Sequence, residues 1–411
     1  MSIVVFKLVL SLVLSGATVF LLVARTKYAH FLTEKTLGVS WLLLRLVPFL
    51  AIYVFLGFEP RSDIAGFLVG WGTHARQGEL IYRDFVCTYS PFFPYLIGLS
   101  MAVWNDPRAI VLLMVLMEGV ALLATYFFYK PRFSREELIF KSLLYLCLPA
   151  SLILCVIGGQ EDVWTWLFVA LAGWAFYSKK SYILYGSLLV LGLLSTKATF
   201  VLVLPALLIL ARNQYRLFVV MVLWGIAVLA ILYALVGLEF MQPLGEADTL
   251  RAPNLLSVIN PWFFDAIGVG QGFWNWVGLL STVGISCLVA WQWRGAEFHQ
   301  ALSRVFVVTY ATMMAVQQSA YSNYIFLFLM PLVFYVVDWR DKKQVGYLLV
   351  FNILCVVEAS YWWRLGMPKY FAPADIWVSA SSLLDYVMQL SIVALTGYFV
   401  WLAATKKVVL Q

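Results

Sequence analysis

The sequence has few charged residues and no polar stretch long enough to form a soluble domain. Only 12% of its 411 residues are Asp, Glu, Lys or Arg, whereas 63% are hydrophobic. A soluble domain is about one quarter charged and about half apolar, so this composition excludes a soluble globular protein and a disordered chain. The apolar runs are continuous rather than alternating, which argues against a membrane β-barrel. We therefore expect an all-α polytopic membrane protein, with residues 1–411 forming a single integral membrane domain.

Motifs for nucleotide and metal chemistry are missing as well. The sequence contains no Walker, Rossmann or HExxH pattern. Its five cysteines lie mostly in or near apolar runs and imply no disulfide framework. The net charge of +7 fits basic cytoplasmic loops and contact with anionic lipid, so we expect a lipid bilayer as partner and no nucleic acid.

Thirteen apolar segments are candidates for membrane-spanning helices. A single spanning helix needs about 20 apolar residues, and packed inner helices can be shorter. We expect a bundle of about 11 to 13 such helices, drawn from residues 3–24, 37–57, 110–129, 139–157, 163–177, 182–196, 198–211, 216–237, 275–293, 303–318, 323–337, 345–361 and 378–402. A fourteenth segment, 90–104, is short and contains two prolines. We interpret it as a helix in the outer membrane interface.

Basic residues determine the expected orientation. If 90–104 does not span, 18 of the 28 Lys and Arg residues fall on one side of the membrane, which the positive-inside rule assigns to the cytoplasm. The long polar loops, 58–109 and 238–274, then face outward, together with the N-terminus. We therefore expect a protein of the cytoplasmic membrane whose chemistry is on the extracytoplasmic face.

The first outer loop, 58–109, carries most of the candidate residues. Its stretch 63–77 has helical spacing and predicts an amphipathic helix, with one face formed by Ile64, Phe67, Leu68 and Trp71. Asp63 begins this stretch. A single carboxylate near an acceptor hydroxyl can act as a general base, although Ser62-Asp63 before an apolar run is also a typical helix start.

Spaced motifs in and beyond this loop carry a family resemblance. After the acid come A-x-x-G-x-x-x-Y-R-D-F and Y-S-P, at Ala75, Gly78, Tyr82, Arg83, Asp84, Phe85, Tyr89 and Pro91. Further on are Gly158-Gly159-Gln160-Glu161-Asp162, Lys197 with Pro205, and Ser322-Asn323-Tyr324 before Pro331. Together these resemble the GT-C glycosyltransferases related to lipid-linked-sugar mannosyltransferases, over residues 37–337. Helices 37–237 match the catalytic module and 275–402 form the C-terminal helices. The extra helix 3–24 departs from the family pattern.

The resemblance implies an enzyme and a set of site residues. The reaction would move one sugar, mannose or another hexose, from a polyprenyl-phosphate sugar to a glycan, glycolipid or protein acceptor, with inversion and Asp63 as base. The substrate-binding candidates are Arg61, His74, Tyr82, Arg83, Asp84, Tyr89, Gln160, Glu161, Asp162, Lys197 and Arg251. Relatives using such donors usually need no cofactor, so we expect none, although Glu59, Asp63 and Asp162 could gather a divalent metal ion.

Other interpretations remain open. Arg83-Asp84 could be a local ion pair, Glu161-Asp162 could cap the next helix, and Lys197 could extend to the interface without a ligand. Arg45 and Glu118, inside apolar runs, could form a structural pair. The alternative functions are a transporter or flippase of lipid-linked sugars, which predicts broken helices and inverted repeats, and a polysaccharide polymerase or ligase.

Overall fold

The protein is almost entirely helical in a computed structural model, which describes residues 2–27, 32–263 and 271–405. No β-strand occurs in these ranges. The longer helices are Ile3–Ala24, Glu34–Phe55, Arg108–Tyr129, Arg135–Cys147, Val163–Lys179, Tyr182–Ser195, Ala198–Leu210, Gln214–Val236, Gln271–Trp293, Phe298–Val316, Ser322–Val336, Lys342–Arg364 and Ala380–Thr405. Shorter helices are Ile64–Leu68 continuing as Val69–Arg76, then Phe93–Val103, Pro149–Ile157, Gly237–Asp248, Leu255–Ile259 and Pro373–Trp377.

The helices are those of a polytopic membrane protein. Among the described residues, seven helices are long and apolar enough to cross a bilayer, or eight if a bent pair is one span. Twelve of the thirteen segments expected from sequence coincide with a helix, whereas 139–157 covers two helices that meet at a bend. Several of the helices are too short to cross alone, including Tyr182–Ser195 and Ala198–Leu210. The total of 11 to 13 spans stays a prediction, because it depends on how these inner helices sit in the bilayer.

The bent pair shows how backbone groups are satisfied inside the bundle. Arg135–Cys147 and Pro149–Ile157 meet at 70°, because proline has no N–H and favours extended backbone at the residue before it. Side chains donate to three carbonyl groups at the break: Ser151 Oγ to Tyr145, which also accepts from Leu148 N, Arg45 Nη1 to Leu146 and Thr18 Oγ1 to Cys147. Such pairing is required where no water is present.

A fully buried ion pair lies beside this break. Arg45 Nη2 is 2.9 Å from Glu118 Oε1, and neither side chain is exposed. Arg45 Nε donates to the same oxygen at 3.0 Å, while Trp41 Nε1 donates to Oε2 at 3.3 Å. The structural pairing expected from sequence is therefore confirmed. It connects the helix before the first outer loop to the helix after it.

The loops divide between two ends of the bundle. At the basic end, ion pairs Arg25–Glu137 and Arg132–Glu297 join loops that the sequence assigned to one side, and Trp293 Nε1 donates to Ala404 O at 2.9 Å. At the opposite end, the loop of Asp63 meets the turns around residues 160, 197 and 323. The lysine-rich and arginine-rich loops are thus separated from the candidate chemistry by the length of the bundle.

The first outer loop forms two short helices that pack together. Val69–Arg76 contacts Phe93–Val103, and the approach is close because a Cβ at Gly72 would lie 2.7 Å from Met101 Sδ. The stretch expected to be helical is helical; Ile64 and Leu68 are buried, whereas Phe67 is exposed and its ring lies 5.9 Å from that of Trp71. The placement of this helix on the membrane surface stays a prediction. In a membrane protein an apolar side chain can face lipid as readily as the core, so helical spacing alone does not separate the two.

Candidate functional site

The turn 158–162 brings three polar side chains against the first outer loop. Gly159 has φ of +61°, a conformation that side-chain-bearing residues rarely adopt. A Cβ there would also lie 2.3 Å from Ile64 Cδ1. Glycine therefore allows this turn to pack directly on the residue that follows Asp63. As a result Gln160, Glu161 and Asp162, each at most 5% exposed, face the site.

Two amide side chains hold Asp63 in place. Gln160 Nε2 donates to Asp63 Oδ2 at 2.9 Å, and Asn323 Nδ2 donates to Gln160 Oε1 at 2.8 Å. Because Asn323 donates to the oxygen of the Gln160 amide, the nitrogen of the Gln160 amide faces the Asp63 carboxylate. Asp63 precedes the helix that begins at Ile64, but its side chain makes no capping hydrogen bond. Its role as a helix-capping side chain is therefore wrong. Its second oxygen, Oδ1, has one long contact within the described ranges, at 3.5 Å from Ser62 Oγ.

Lys197 joins the two acids of the same turn. Its Nζ lies 2.6 Å from Asp162 Oδ1 and 2.8 Å from Glu161 Oε1, and both acidic side chains are at most 3% exposed. The Tyr89 hydroxyl donates to Glu161 Oε1 at 2.7 Å. Neither acid caps the helix that starts at Val163 through its side chain, so the capping interpretation is wrong for both carboxylates. The interpretation that Lys197 extends to the membrane interface without a partner is wrong as well, because both carboxylates bind its ammonium.

Burial and charge shift the pKa values of this group. Burial, reinforced by Glu161, raises the pKa of the Asp162 carboxyl to about 6, although Lys197 opposes the shift. Burial lowers the pKa of Lys197, but Asp162 and Glu161 outweigh it and raise that pKa well above its ordinary value. Burial also raises the pKa of the Tyr89 hydroxyl. One ammonium thus serves two buried carboxylates, which leaves the cluster negative even before Asp63 is added.

Backbone hydrogen bonds attach the first outer loop to the Lys197 turn. Ser90 N donates to Thr196 O at 3.2 Å, and Phe92 N donates to Leu194 O at 2.8 Å. These bonds place the Tyr89 ring 5.1 Å from Lys197 Nζ. The ring of Tyr324 approaches the same ammonium at 5.3 Å. Aromatic faces on a buried cation stabilise it by cation–π attraction, so the site holds its lysine from several directions.

Arg251 belongs to the same electrostatic environment. Its Nη2 lies 2.8 Å from Glu246 Oε2, and its guanidinium is 4.2 Å from the Tyr321 ring centre. Burial raises the pKa of Tyr321 to about 12, with Arg251 opposing the shift and Asp63 adding to it. A small cavity of about 20 Å³ lies beside Arg251; its other lining residues include Asn254, Trp362, Lys369, Tyr370 and Gln389.

The other candidates of the first outer loop mainly stabilise the loop. His74 Nδ1 is 2.7 Å from Glu79 Oε2. Tyr82, with φ of +69°, donates its hydroxyl hydrogen to Tyr89 O, and so connects to the site indirectly. Arg83 and Asp84 form the local, partly exposed ion pair considered from sequence, at 2.8 Å. Arg61 is exposed, and the described part of the chain shows no ion pair for it.

Sequence reasoning did not select three residues that the structure adds. Asn323 orients Gln160, Tyr324 covers Lys197, and Tyr321 lies against Arg251. The segment Ser322-Asn323-Tyr324 was visible only as a motif match, since nothing in its local pattern shows that it meets residue 160. A polar triplet directly before an apolar helix is the one signal that could have selected it.

No group of three or more His, Cys, Asp or Glu side chains within residues 2–27, 32–263 and 271–405 is close enough to hold a metal ion. Asp162 is bound to Lys197 and Asp63 to Gln160, while Glu59 is exposed. The expectation that the reaction needs no cofactor stays a prediction.

Neither the protein-family models nor the curated proteins compared with this chain match it. The resemblance to GT-C glycosyltransferases therefore depends on the quoted motifs and on the chemistry of the site.

Proposed function

We propose that this protein is an integral-membrane glycosyltransferase that moves one hexose from a polyprenyl-phosphate sugar to an acceptor on the extracytoplasmic face. The observation that carries the proposal is the fixed carboxylate of Asp63. Gln160 engages Oδ2, and Asn323 fixes the direction of that amide. The other oxygen, Oδ1, is left for the proton of an acceptor hydroxyl.

The chemistry of transfer needs such an arrangement. As the acceptor oxygen attacks the anomeric carbon, its proton passes to Asp63 and the bond to the lipid phosphate breaks. A positioned base contributes about 10²–10⁴-fold to such a step. A single displacement by one base inverts the anomeric centre, by the same logic as inverting hydrolysis.

Lys197 and Arg251 have different roles in this proposal, because their charges are neutralised to different extents. Lys197 is already neutralised by Glu161 and Asp162, so its task in this proposal is to hold the turn that carries Gln160. Arg251 has one carboxylate partner, Glu246, and its buried Nε has no hydrogen-bond partner in the described residues. It is the better donor to a phosphate leaving group, where fixed cations stabilise the developing charge.

The basic end of the bundle supports the orientation. If the protein lies in the cytoplasmic membrane, as proposed, the positive-inside rule places the loops of Arg25, Arg132 and Arg135 in the cytoplasm, and Asp63 then faces outward. The donor lipid would then reach Asp63 from the outer leaflet. The acceptor, whether glycan, glycolipid or protein, would come from the extracytoplasmic side.

The test is transfer by purified protein from a panel of radiolabelled polyprenyl-phosphate sugars. Wild type should transfer at least one sugar, and the nearly isosteric Asp63→Asn variant should lose at least about 100-fold in rate while keeping its thermal unfolding midpoint. Glu59→Gln removes an exposed acid from the same loop and should keep wild-type activity. An Asp63→Asn variant with wild-type turnover would show that Asp63 is not the base.

One observation favours a transporter or flippase as second candidate. The break at Pro149, with its 70° bend, is a feature of membrane transporters. Liposomes containing a fluorescent lipid-linked sugar separate the two functions. A transporter moves the lipid between leaflets without any acceptor, whereas the transferase alters the lipid only when acceptor is present.

A further inference from the structure

A fully buried glutamine holds the loop of Arg251 at two points. Gln318 Nε2 donates to Ala247 O at 2.9 Å, and Arg251 N donates to Gln318 O at 2.9 Å. Gln318 has no solvent-exposed surface. Because the two bonds lie on either side of the stretch 248–250, they fix the backbone of this loop directly before Arg251.

Asn254 completes the attachment on the other side of Arg251. Its Oδ1 accepts from Ser257 N at 3.0 Å, as the cap of the helix Leu255–Ile259. Since the cap uses the oxygen of this amide, the nitrogen faces the other way. Nδ2 donates to Arg251 O at 2.7 Å and to Gln318 O at 3.1 Å, and Asn254 is only 1% exposed. Arg251 is thus held through both its N–H and its carbonyl group.

The guanidinium of Arg251 is oriented as well. Glu246 Oε2 lies 2.8 Å from its Nη2, and the centre of the Tyr321 ring lies 4.2 Å from the guanidinium carbon. Its buried Nε has no hydrogen-bond partner in the described part of the chain. Buried N–H groups nearly always have a partner, so a guanidinium held in this way keeps one donor available for a bound group.

One short segment, 317–324, connects this arginine to the carboxylate of the site. Gln318, at its start, holds Arg251, and Asn323, near its end, directs Gln160 at Asp63. Two backbone hydrogen bonds, of 3.0 and 3.2 Å, close turns within the segment. In a single displacement the base and the cation at the leaving group act on opposite sides of one carbon atom. A stiff connection between them therefore sets the geometry of the reaction.

We propose that Gln318 and Asn254 are positioning residues, which hold Arg251 at the distance from Asp63 that the lipid phosphate of the donor requires. This inference rests on the proposed transferase function. Neither residue touches the donor, and both act through Arg251. The phosphate gains negative charge as its bond to the sugar breaks. A displaced arginine therefore lowers kcat more than it raises the KM for the donor.

The test is a double-mutant cycle on purified full-length protein, measured as sugar transfer from the polyprenyl-phosphate sugar that wild type accepts. Gln318→Met keeps the side-chain length and removes the bond to Ala247. Loss of one neutral hydrogen bond should lower kcat about three- to tenfold in the presence of Arg251. In an Arg251→Met background the same change should alter kcat by less than about twofold, because the arginine that Gln318 positions is absent.

Asn254→Asp is a second variant, which decides the question if Gln318→Met does not fold. Aspartate still caps the helix, but it cannot donate to Arg251 O. It should also lower kcat in the presence of Arg251 and have little effect in its absence. Gln344→Met is the matched control, since Gln344 is 2% exposed and makes two hydrogen bonds at the basic end of the bundle. It should lower the unfolding midpoint and leave kcat unchanged in both backgrounds.

Two results would overturn the proposal. One is an equal loss of kcat with and without Arg251, since Gln318 and Asn254 would then serve the fold rather than the arginine. The other is wild-type kcat in both Gln318→Met and Asn254→Asp. Failure of the proposed function gives a different result, because wild type itself would then transfer no sugar from any donor of the panel, and the positioning role would be overturned with it.

Discussion

Replacing Lys197 with methionine tests the electrostatics of the candidate site directly. Methionine keeps much of the side-chain length and removes the ammonium, which lies 2.6 Å from Asp162 and 2.8 Å from Glu161. The two carboxylates then stay buried without their cation. Removing one partner of a buried ion pair costs about 3–5 kcal/mol, because the remaining charge is uncompensated. We expect the free energy of unfolding to fall by that amount at pH 8.

The assay is unfolding of detergent-solubilised protein by increasing SDS, followed by tryptophan fluorescence. Lys179→Met is the matched control, since Lys179 is exposed and a surface change of this kind usually alters stability by no more than about 0.5 kcal/mol. Adding Glu161→Gln and Asp162→Asn to Lys197→Met should recover most of the loss, because the uncompensated charges are then gone. A Lys197→Met protein within about 1 kcal/mol of wild type, with no gain in the triple variant, contradicts the reasoning.

Three further predictions concern the fold around the site. Gly159→Val should destabilise the protein by at least about 2 kcal/mol in the same assay, because it adds backbone strain and a clash with Ile64. The control is Gly225→Val, which should not destabilise the protein to this extent, because no atom lies within 4 Å of a new Cβ there. The pKa of Asp162 is raised to about 6 in the folded protein, so protonation of this group should increase the free energy of unfolding as pH falls from about 6 to 4. The Asp162→Asn variant should lack this increase when its free energy of unfolding is measured across the same pH range. Glu118→Gln leaves a buried arginine unpaired and should lower the free energy of unfolding by about 3–5 kcal/mol, seen as a lower SDS midpoint; an unchanged midpoint would mean that water reaches the pair.

The sequence located the polar half of the candidate site well. Asp63, Gln160, Glu161, Asp162 and Lys197 were all selected, and the structure brings them together. They were selected because the motifs that resemble GT-C glycosyltransferases include them, and Asp63 also because it begins the helical stretch 63–77.

The sequence could not assign partners to these residues. Local patterns allowed Asp63 and Asp162 to be helix caps, yet neither caps through its side chain. The choice between a cap and a long-range contact depends on Gly159, which admits Ile64, and on Asn323, which is 163 positions from Gln160.

By itself the sequence determined the kind of protein this is, because hydropathy and the cost of unpaired backbone groups in lipid permit little besides a helical bundle. It also predicted that most basic residues lie in loops at one end of the bundle, because lysine and arginine concentrate on the cytoplasmic side and an unpaired charge is costly in the hydrocarbon layer. Only the tertiary structure decided which acids share one lysine, which amide directs Asp63, and which residues hold Arg251. These are properties of distance between remote segments, and helix packing sets those distances.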